Sequence, residues 1–278
     1  MIHPVREGTV PVHGTDVWYQ ESGQGPAILL LHAGVADHRM WQFQIGPLAA
    51  QHRVVAWDAP GFGKSILAPG EFSDAQAIVD LMDALEIDRA DLVGCSMGGA
   101  AAIRVALTTP DRVRSLVLVG SGVHGFTGEL EGPDIYRACE QAEAAGEWER
   151  LIELEAQVWL AGLGRPLSAV PPDLLDLYRE MNRDHYLRAW NPDAVPTDNL
   201  SFDLDRLGEI SAPTLVLIGD EDVPEIELQA AMMAEQIPGA HRVTIRHCAH
   251  LPSLERASEF NQIVGTWLDG LRDQGAEG

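Results

Sequence analysis

Basic residues are scarce in this sequence, and lysine is almost absent. Its 278 residues carry 19 Lys and Arg against 42 Asp and Glu, a net charge of −23, and Lys64 is the single lysine. Such a balance repels nucleic acid and anionic membranes at any distance that salt does not screen, so neither is expected as a partner. The acidity serves solubility instead. Cysteine is also rare. Cys95, Cys139 and Cys248 stand at no disulfide or metal-ligand spacing, which excludes a disulfide framework and suits a reducing compartment. No run approaches the roughly 20 apolar residues of a membrane span, and Met1 to Glu7 has no apolar signal core. No H-x-x-x-H or similar spacing offers a metal site, so no metal and no cofactor are expected. A cytoplasmic protein is the reading these absences leave; they say nothing of oligomeric state.

The patterning that remains is that of an α/β protein. Thr9–Val12 and Asp16–Glu21 alternate around His13-Gly14-Thr15, the signature of an antiparallel hairpin at a sheet edge. Ala27–His32 is a continuous apolar run of the kind found in strands covered on both faces, Ala90–Gly94 is a short apolar run, and Arg53–Asp58, Val113–Gly120, Thr214–Gly219 and His241–Ile245 read as further strands. Helical periodicity falls between them, as in Ala77, Ile78, Leu81, Met82 and Leu85, opened by Ser73 and Gln76 as a capping box. Strand, helix, strand, helix with short connections predicts a mostly parallel, doubly wound sheet. The alternation halts after Ser121 and resumes near Thr214. Residues 121–205 therefore read as an inserted helical cap, and 1–120 with 206–278 as the core. Helices are predicted over Pro133–Ala145, Glu147–Leu160 and Asp173–Arg183, in a segment rich in Tyr136, Trp148, Trp159, Tyr178, Tyr186 and Trp190. The final polar stretch, Arg272–Gly278, is expected to fray.

One loop imitates a phosphate-binding motif. Gly63-Lys64-Ser65 follows a strand, but the position where a P-loop requires its first glycine is Asp58, whose charge opposes phosphate. The loop reads as a structural turn.

Chemistry concentrates instead at Gly94-Cys95-Ser96-Met97-Gly98. An apolar strand enters it, and Ala100, Ile103, Ala106 and Leu107 leave it at helical spacing until Pro110. A serine at such a junction sits on a strained turn with its hydroxyl lifted clear of the sheet. The helix N-terminus beyond it offers free N–H groups to a developing oxyanion. A serine hydroxyl needs an imidazole base, and the base needs a carboxylate to fix its tautomer. Asp222 and His250, each just past the end of a predicted strand, complete a Ser, Asp, His order with Ser96. Asp220 and Glu221 compete for the acid and His247 for the base; Asp222 lies furthest past its strand, and His250 starts a loop, whereas His247 directly extends the strand. His32 is read as structural. Cys95 and Cys248 are expected to pack near the site as small hydrophobes.

These motifs, with His32-Ala33-Gly34, Asp58-x-Pro60-Gly61-Phe62-Gly63-x-Ser65, Gly219-x-x-Asp222 and Ala249-His250, resemble the α/β-hydrolase superfamily over nearly the whole chain. The resemblance implies the α/β-hydrolase fold, with Ser96 as nucleophile, Asp222 as acid and His250 as base. It also implies an oxyanion hole from the backbone N–H groups of Gly34 and Met97, although Ala33 stands where the family usually has glycine. Arg39-Met40-Trp41 and Ala249-His250-Leu251-x-x-x-Glu255 are similar to 3-oxoadipate enol-lactonases and their esterase relatives. Meta-cleavage-product C–C hydrolases share Ser-Met-Gly-Gly, yet Cys95 replaces their usual asparagine and no tryptophan follows the acid.

Hydrolysis of a small carboxylic ester or lactone through an acyl-serine is the function this resemblance implies. C–C bond hydrolysis and a non-catalytic ligand-binding receptor are the alternatives. In the cap, Trp148, Leu151, Ile152, Val158 and Trp159 share one helical face with Glu155 in its middle. That carboxylate either sits at a solvated edge or lines the pocket, touching a polar substrate group or pairing with an arginine such as Arg39. Arg39, Trp148, Glu155 and Trp159 are the candidate substrate contacts.

Overall fold

The alternating stretch near the N-terminus forms β1 (Arg6–Val12) and β2 (Thr15–Ser22), paired antiparallel, with Val10, Val12 and Val17 turned into the core. The computed structural model describes residues 4–12, 14–127, 134–188, 191–198 and 202–276. The uninterrupted apolar runs form β3 (Ala27–Leu31) and β4 (Arg53–Trp57), then β6 (Ala90–Cys95) and β7 (Val113–Val119), after a short β5 (Gly70–Phe72). Later in the chain come β8 (Ala194–Pro196), β9 (Thr214–Gly219) and β10 (His241–Ile245).

Eight of these strands make one sheet in the order β1-β2-β4-β3-β6-β7-β9-β10, parallel from β4 onward. Every residue of β3, β6 and β9 is buried, because helices cover both faces of the sheet. Burial of Ile28, Leu29, Leu30 and Leu31 contributes about 1.5–3 kcal/mol per side chain. The helices are α1 (Ile45–Leu48), α2 (Asp74–Ala84), α3 (Met97–Thr108), α4 (Asp134–Ala144), α5 (Trp148–Glu155), α6 (Pro172–Tyr186), α7 (Pro224–Gln236), α8 (Pro252–Glu255) and α9 (Ala257–Ala276). Among the described residues no helix is long and apolar enough to cross a membrane.

Several local expectations change in the fold. Ser73 caps α2 by accepting the Gln76 N–H at 3.0 Å, but the Gln76 side chain donates to Asp80 instead of returning to the cap, so only half the box forms. The helix expected over Glu147–Leu160 is α-helical only to Glu155 and widens into a π turn over Ala156–Ala161. The segment expected to be free of strands contains β8, which pairs in parallel with β5. Both are three residues long and one holds a proline, so neither carries a readable strand signal. The C-terminal stretch expected to fray continues α9 as far as Ala276. Trp190 and Pro133 lie outside the described residues.

Candidate active site

Where β6 passes into α3, Ser96 adopts φ +52° and ψ −112°, a strained conformation for a residue with a side chain. The turn is tight because backbones touch. A Cβ on Gly98 would lie 2.4 Å from the Leu31 carbonyl oxygen, and one on Gly94 would lie 2.4 Å from that of Gly98. The Ser96 N–H donates to the Val119 carbonyl at 2.9 Å and the Gly98 N–H to that of His32 at 3.1 Å, which fixes the elbow between β7 and β3. From Ala90 to Ile103 every residue is buried except Ser96 and Met97. In the facing loop only Gly34 and Val35 keep some exposure between Ala27 and Asp37. Gly34 and Met97 are neighbours: a Cβ on Gly34 would be 3.6 Å from Met97 Sδ. The Ala33 N–H is directed to Met40 Sδ at 3.4 Å.

His250 and Asp222 are brought together by the β10 and β9 exits. His250 Nδ1 lies 2.9 Å and 3.0 Å from the two carboxylate oxygens of Asp222, and both side chains are 1% exposed. Asp222 Oδ1 also accepts the Val223 N–H at 2.8 Å. Because the carboxylate accepts a hydrogen bond from Nδ1–H, a neutral imidazole keeps its lone pair at Nε2. The competing residues are elsewhere. His247 is exposed, and Asp220 accepts its backbone N–H at 2.6 Å, closing the turn that leads to the loop. Gly120, next to the Val119 whose carbonyl accepts the Ser96 N–H, has φ +48°, and its added Cβ would fall 3.0 Å from His250 Nδ1 and 3.1 Å from Asp222 Oδ2. Only glycine lets β7 end there.

His32 is a structural pin. Its Nδ1–H donates to the Ala33 carbonyl at 2.8 Å, and its Nε2 accepts the Ala59 N–H at 2.9 Å. This arrangement requires the neutral ring, and burial pushes its pKa down. Asp58 organises the loop that mimicked a phosphate site. Its buried carboxylate accepts the His38 and Lys64 backbone N–H groups at 2.8 and 2.7 Å and meets His38 Nδ1 at 2.8 Å. Asp37, His38 and Asp58 form the one cluster among the described residues whose atoms could converge on a metal ion. Those atoms are engaged with one another, with Arg39 and with backbone N–H groups. Cys95 and Cys248 are fully buried, Cys95 Sγ 3.7 Å from the His250 carbonyl, and burial raises the pKa of both thiols.

In the inserted segment the candidate contacts part company. Trp159 packs its ring 4.7 Å from the His250 ring. Trp148 stacks on Tyr186 at 5.6 Å, and both line a cavity of about 630 Å³ with Leu67, His185 and Arg188. Glu155 is mostly buried and accepts the Tyr186 hydroxyl proton, 2.8 Å from either oxygen; burial pushes its carboxyl up to about 7. Beside it Tyr178 is fully buried with no hydrogen-bond partner for its hydroxyl among the described residues. Arg39 does not reach Glu155. Its guanidinium is held by Asp37 at 2.6 Å, Asp184 at 2.7 Å and Glu180 at 3.1 Å, because those carboxylates flank it on its own loop and on α6.

Gly120 and Arg165 escaped the sequence reading, and Glu255 entered it only as part of a motif. Glycine at the end of an apolar strand is the only signal for the first, and Arg165 falls in the gap between two predicted helices.

A sequence profile described as "Alpha/beta hydrolase family" matches residues 28–263. The chain is 32% identical to 2-hydroxy-6-oxo-6-phenylhexa-2,4-dienoate hydrolase of Comamonas testosteroni over 270 residues, which covers 93% of this chain and 92% of that protein. It is 30% identical, with a TM-score of 0.75, to the solved structure of Est816, described as an N-acyl homoserine lactone degrading enzyme, covering 93% of this chain and 99% of that one. The enol-lactonase of Burkholderia xenovorans LB400 shares the fold, with a TM-score of 0.77 at 22% identity over 94% of this chain and all of that one. With a mostly parallel sheet, a strained serine elbow and relatives matched along nearly the whole sequence, the chain belongs to the alpha/beta hydrolase family and is an enzyme of that fold.

Proposed function

We propose that this hydrolase cleaves a small carboxylic ester or lactone through an acyl-enzyme on Ser96. The observation that carries the reading is the strained Ser96 turn set across Gly120 from a buried, hydrogen-bonded His250–Asp222 pair. In this mechanism His250 Nε2 takes the Ser96 hydroxyl proton as Oγ attacks the carbonyl carbon, while Asp222 holds Nδ1–H and stabilises the imidazolium. The negative charge that develops on the carbonyl oxygen is received by the N–H groups of Met97 and Gly34. Collapse expels the alcohol, protonated by His250. Water activated by the same imidazole then releases the acid. The inserted helices of residues 121–205 act as a cap over this centre, with Trp148 and Trp159 as apolar substrate contacts.

A second reading, C–C bond hydrolysis, is favoured by the 32% identical relative, whose name states that activity's substrate. Cys95 before the serine and the lack of a tryptophan after Asp222 weigh against it. Comparing kcat/KM for p-nitrophenyl butyrate, an N-acyl homoserine lactone and 2-hydroxy-6-oxo-6-phenylhexa-2,4-dienoate separates the readings. Ester or lactone turnover at least tenfold above the dienoate is expected; the reverse order would transfer the assignment to C–C cleavage. In either case Ser96→Ala should lose on the order of 10³-fold or more in kcat while remaining folded.

A further inference from the structure

The backbone of the His250 loop is held by the inserted segment as well as by the core. The π turn over Ala156–Ala161 ends with carbonyls that have no partner within the helix. One of them, that of Trp159, accepts the His250 N–H at 3.2 Å. The next two, of Leu160 and Ala161, accept from the guanidinium of Arg165 at 3.3 and 2.6 Å, a cation at a helix C-terminus where the dipole favours it.

Arg165 then reaches across to the catalytic loop. It donates to the His247 carbonyl at 3.3 Å and to Glu255 Oε2 at 2.5 Å. The other oxygen of Glu255, a side chain only 6% exposed, accepts the N–H of Ala249 at 2.7 Å. The turn between Trp159 and Arg165 is itself fixed, since Gln157 Nε2 donates to the carbonyls of Gly162 at 2.8 Å and Arg165 at 2.6 Å. It also lies directly on both loops of the site. A Cβ on Gly162 would fall 2.5 Å from the Glu221 carbonyl oxygen and 3.3 Å from Ala249 Cβ.

We infer that the strap Trp159–Arg165, locked by the Arg165–Glu255 ion pair, is a positioning device that sets His250 against Asp222 and Ser96, making the inserted segment and the base one mechanical unit. Arg165 and Glu255 are positioning residues: they touch the backbone on either side of His250, not the reacting atoms. The inference rests on the reading of Ser96, His250 and Asp222 as a triad. A displacement of about 1 Å in a catalytic group costs on the order of 10²-fold, so a loosened loop has a measurable consequence without any loss of substrate contacts.

The test uses the full chain with Arg165→Met, Arg165→Lys and Glu255→Gln, assayed on p-nitrophenyl acetate and p-nitrophenyl octanoate. A second readout is the rate of Ser96 inactivation by a fluorophosphonate, which needs the base but few substrate contacts. Arg165→Met should lower kcat on both esters by about tenfold, a barrier rise of about 1.4 kcal/mol, leave KM within about twofold, and slow inactivation by the same factor. Arg165→Lys, which keeps the charge and loses the fork, should fall between it and the parent. Glu255→Gln keeps an acceptor for the Ala249 N–H and should lose less than Arg165→Met. If Arg165→Met is too unstable to assay, a parental kcat and inactivation rate in Arg165→Lys would overturn the inference. A folded Arg165→Met with parental kcat and inactivation rate would overturn it too, as would a loss confined to KM for the octanoate. Those results beside an inert Ser96→Ala sink the strap alone; persistent turnover in Ser96→Ala sinks the triad and the strap with it.

Discussion

Three carboxylates crowd the end of β9, and the structure gives them different work. Asp222 meets the imidazole of His250, whereas Asp220 is exposed and spends an oxygen on the His247 N–H. Asp222→Asn should therefore lower kcat by about 10²- to 10⁴-fold, since an amide cannot hold the Nδ1–H tautomer as a carboxylate does. Asp220→Asn should change kcat less than about fivefold and act chiefly on stability, through one loop hydrogen bond. Equal losses in the two variants, measured at saturating ester, would contradict this division. Glu155 makes a separate prediction. Burial raises its carboxyl from 4.5 to about 7, so the folded state binds its proton more tightly than the unfolded chain. Its stabilising contribution is complete below about pH 4.5 and is lost as pH rises through about 7, on the order of 3 kcal/mol at the upper limit. Glu155→Gln has no charge to bury. Its Tm should approach or exceed that of the parent at pH 8 while gaining nothing at pH 4.5, and a Tm difference independent of pH would refute the assignment. As candidates, Ser96, Asp222 and His250 were legible from a strand-to-helix turn and from positions past strands, and the structure sets Asp222 and His250 in hydrogen-bond contact. The partner of Glu155 was not: Tyr186 is 31 residues away on another helix, and only packing sets the two face to face.

Elements were readable in proportion to the length of their pattern. The fully buried strands and the amphipathic α2 announce themselves through uninterrupted or 3.6-residue periodicity. β5 and β8 do not, since three residues with a proline carry no period and their pairing is decided by where the inserted segment returns. The π turn after Glu155 escaped for a different reason. Its apolar positions match an α-helix, and nothing in them marks the widened turn that carries the Trp159 carbonyl bonded to the His250 N–H. The same scale explains Gly120. Strand β7 must end beside the loops that carry Asp222 and His250, and there is no room for a Cβ. Gly120→Ala should lower kcat by about 10- to 100-fold, through displacement of His250 and the strain of a positive φ, with KM changed far less. A folded Gly120→Ala enzyme with parental kcat would show that the imidazole does not need that space.

Over the whole molecule, the strand order does what the sequence separation appears to forbid. Ser96 and His250 are 154 positions apart, yet they follow β6 and β10, which are three strand steps apart in the sheet, with β7 and β9 between. At about 4.8 Å per step the strand ends alone would leave them roughly 14 Å apart, so a triad of these residues requires loops that lean inward. The inserted segment bonds to the His250 loop through the Trp159 carbonyl and Arg165. That placement could be expected from the motif order but not from any local pattern, because it depends on which strands become neighbours. The most direct measurement of the central claim is to mix the enzyme with excess p-nitrophenyl butyrate, quench in acid within milliseconds, and map the butyryl mass by peptide mass spectrometry. A near-stoichiometric adduct on the peptide carrying Ser96, lost in Ser96→Ala and accumulating less in Asp222→Asn, is the predicted result. Turnover by the parent with the adduct on another residue, or with no adduct and no burst of p-nitrophenol under any quench time, would contradict an acyl-serine hydrolase.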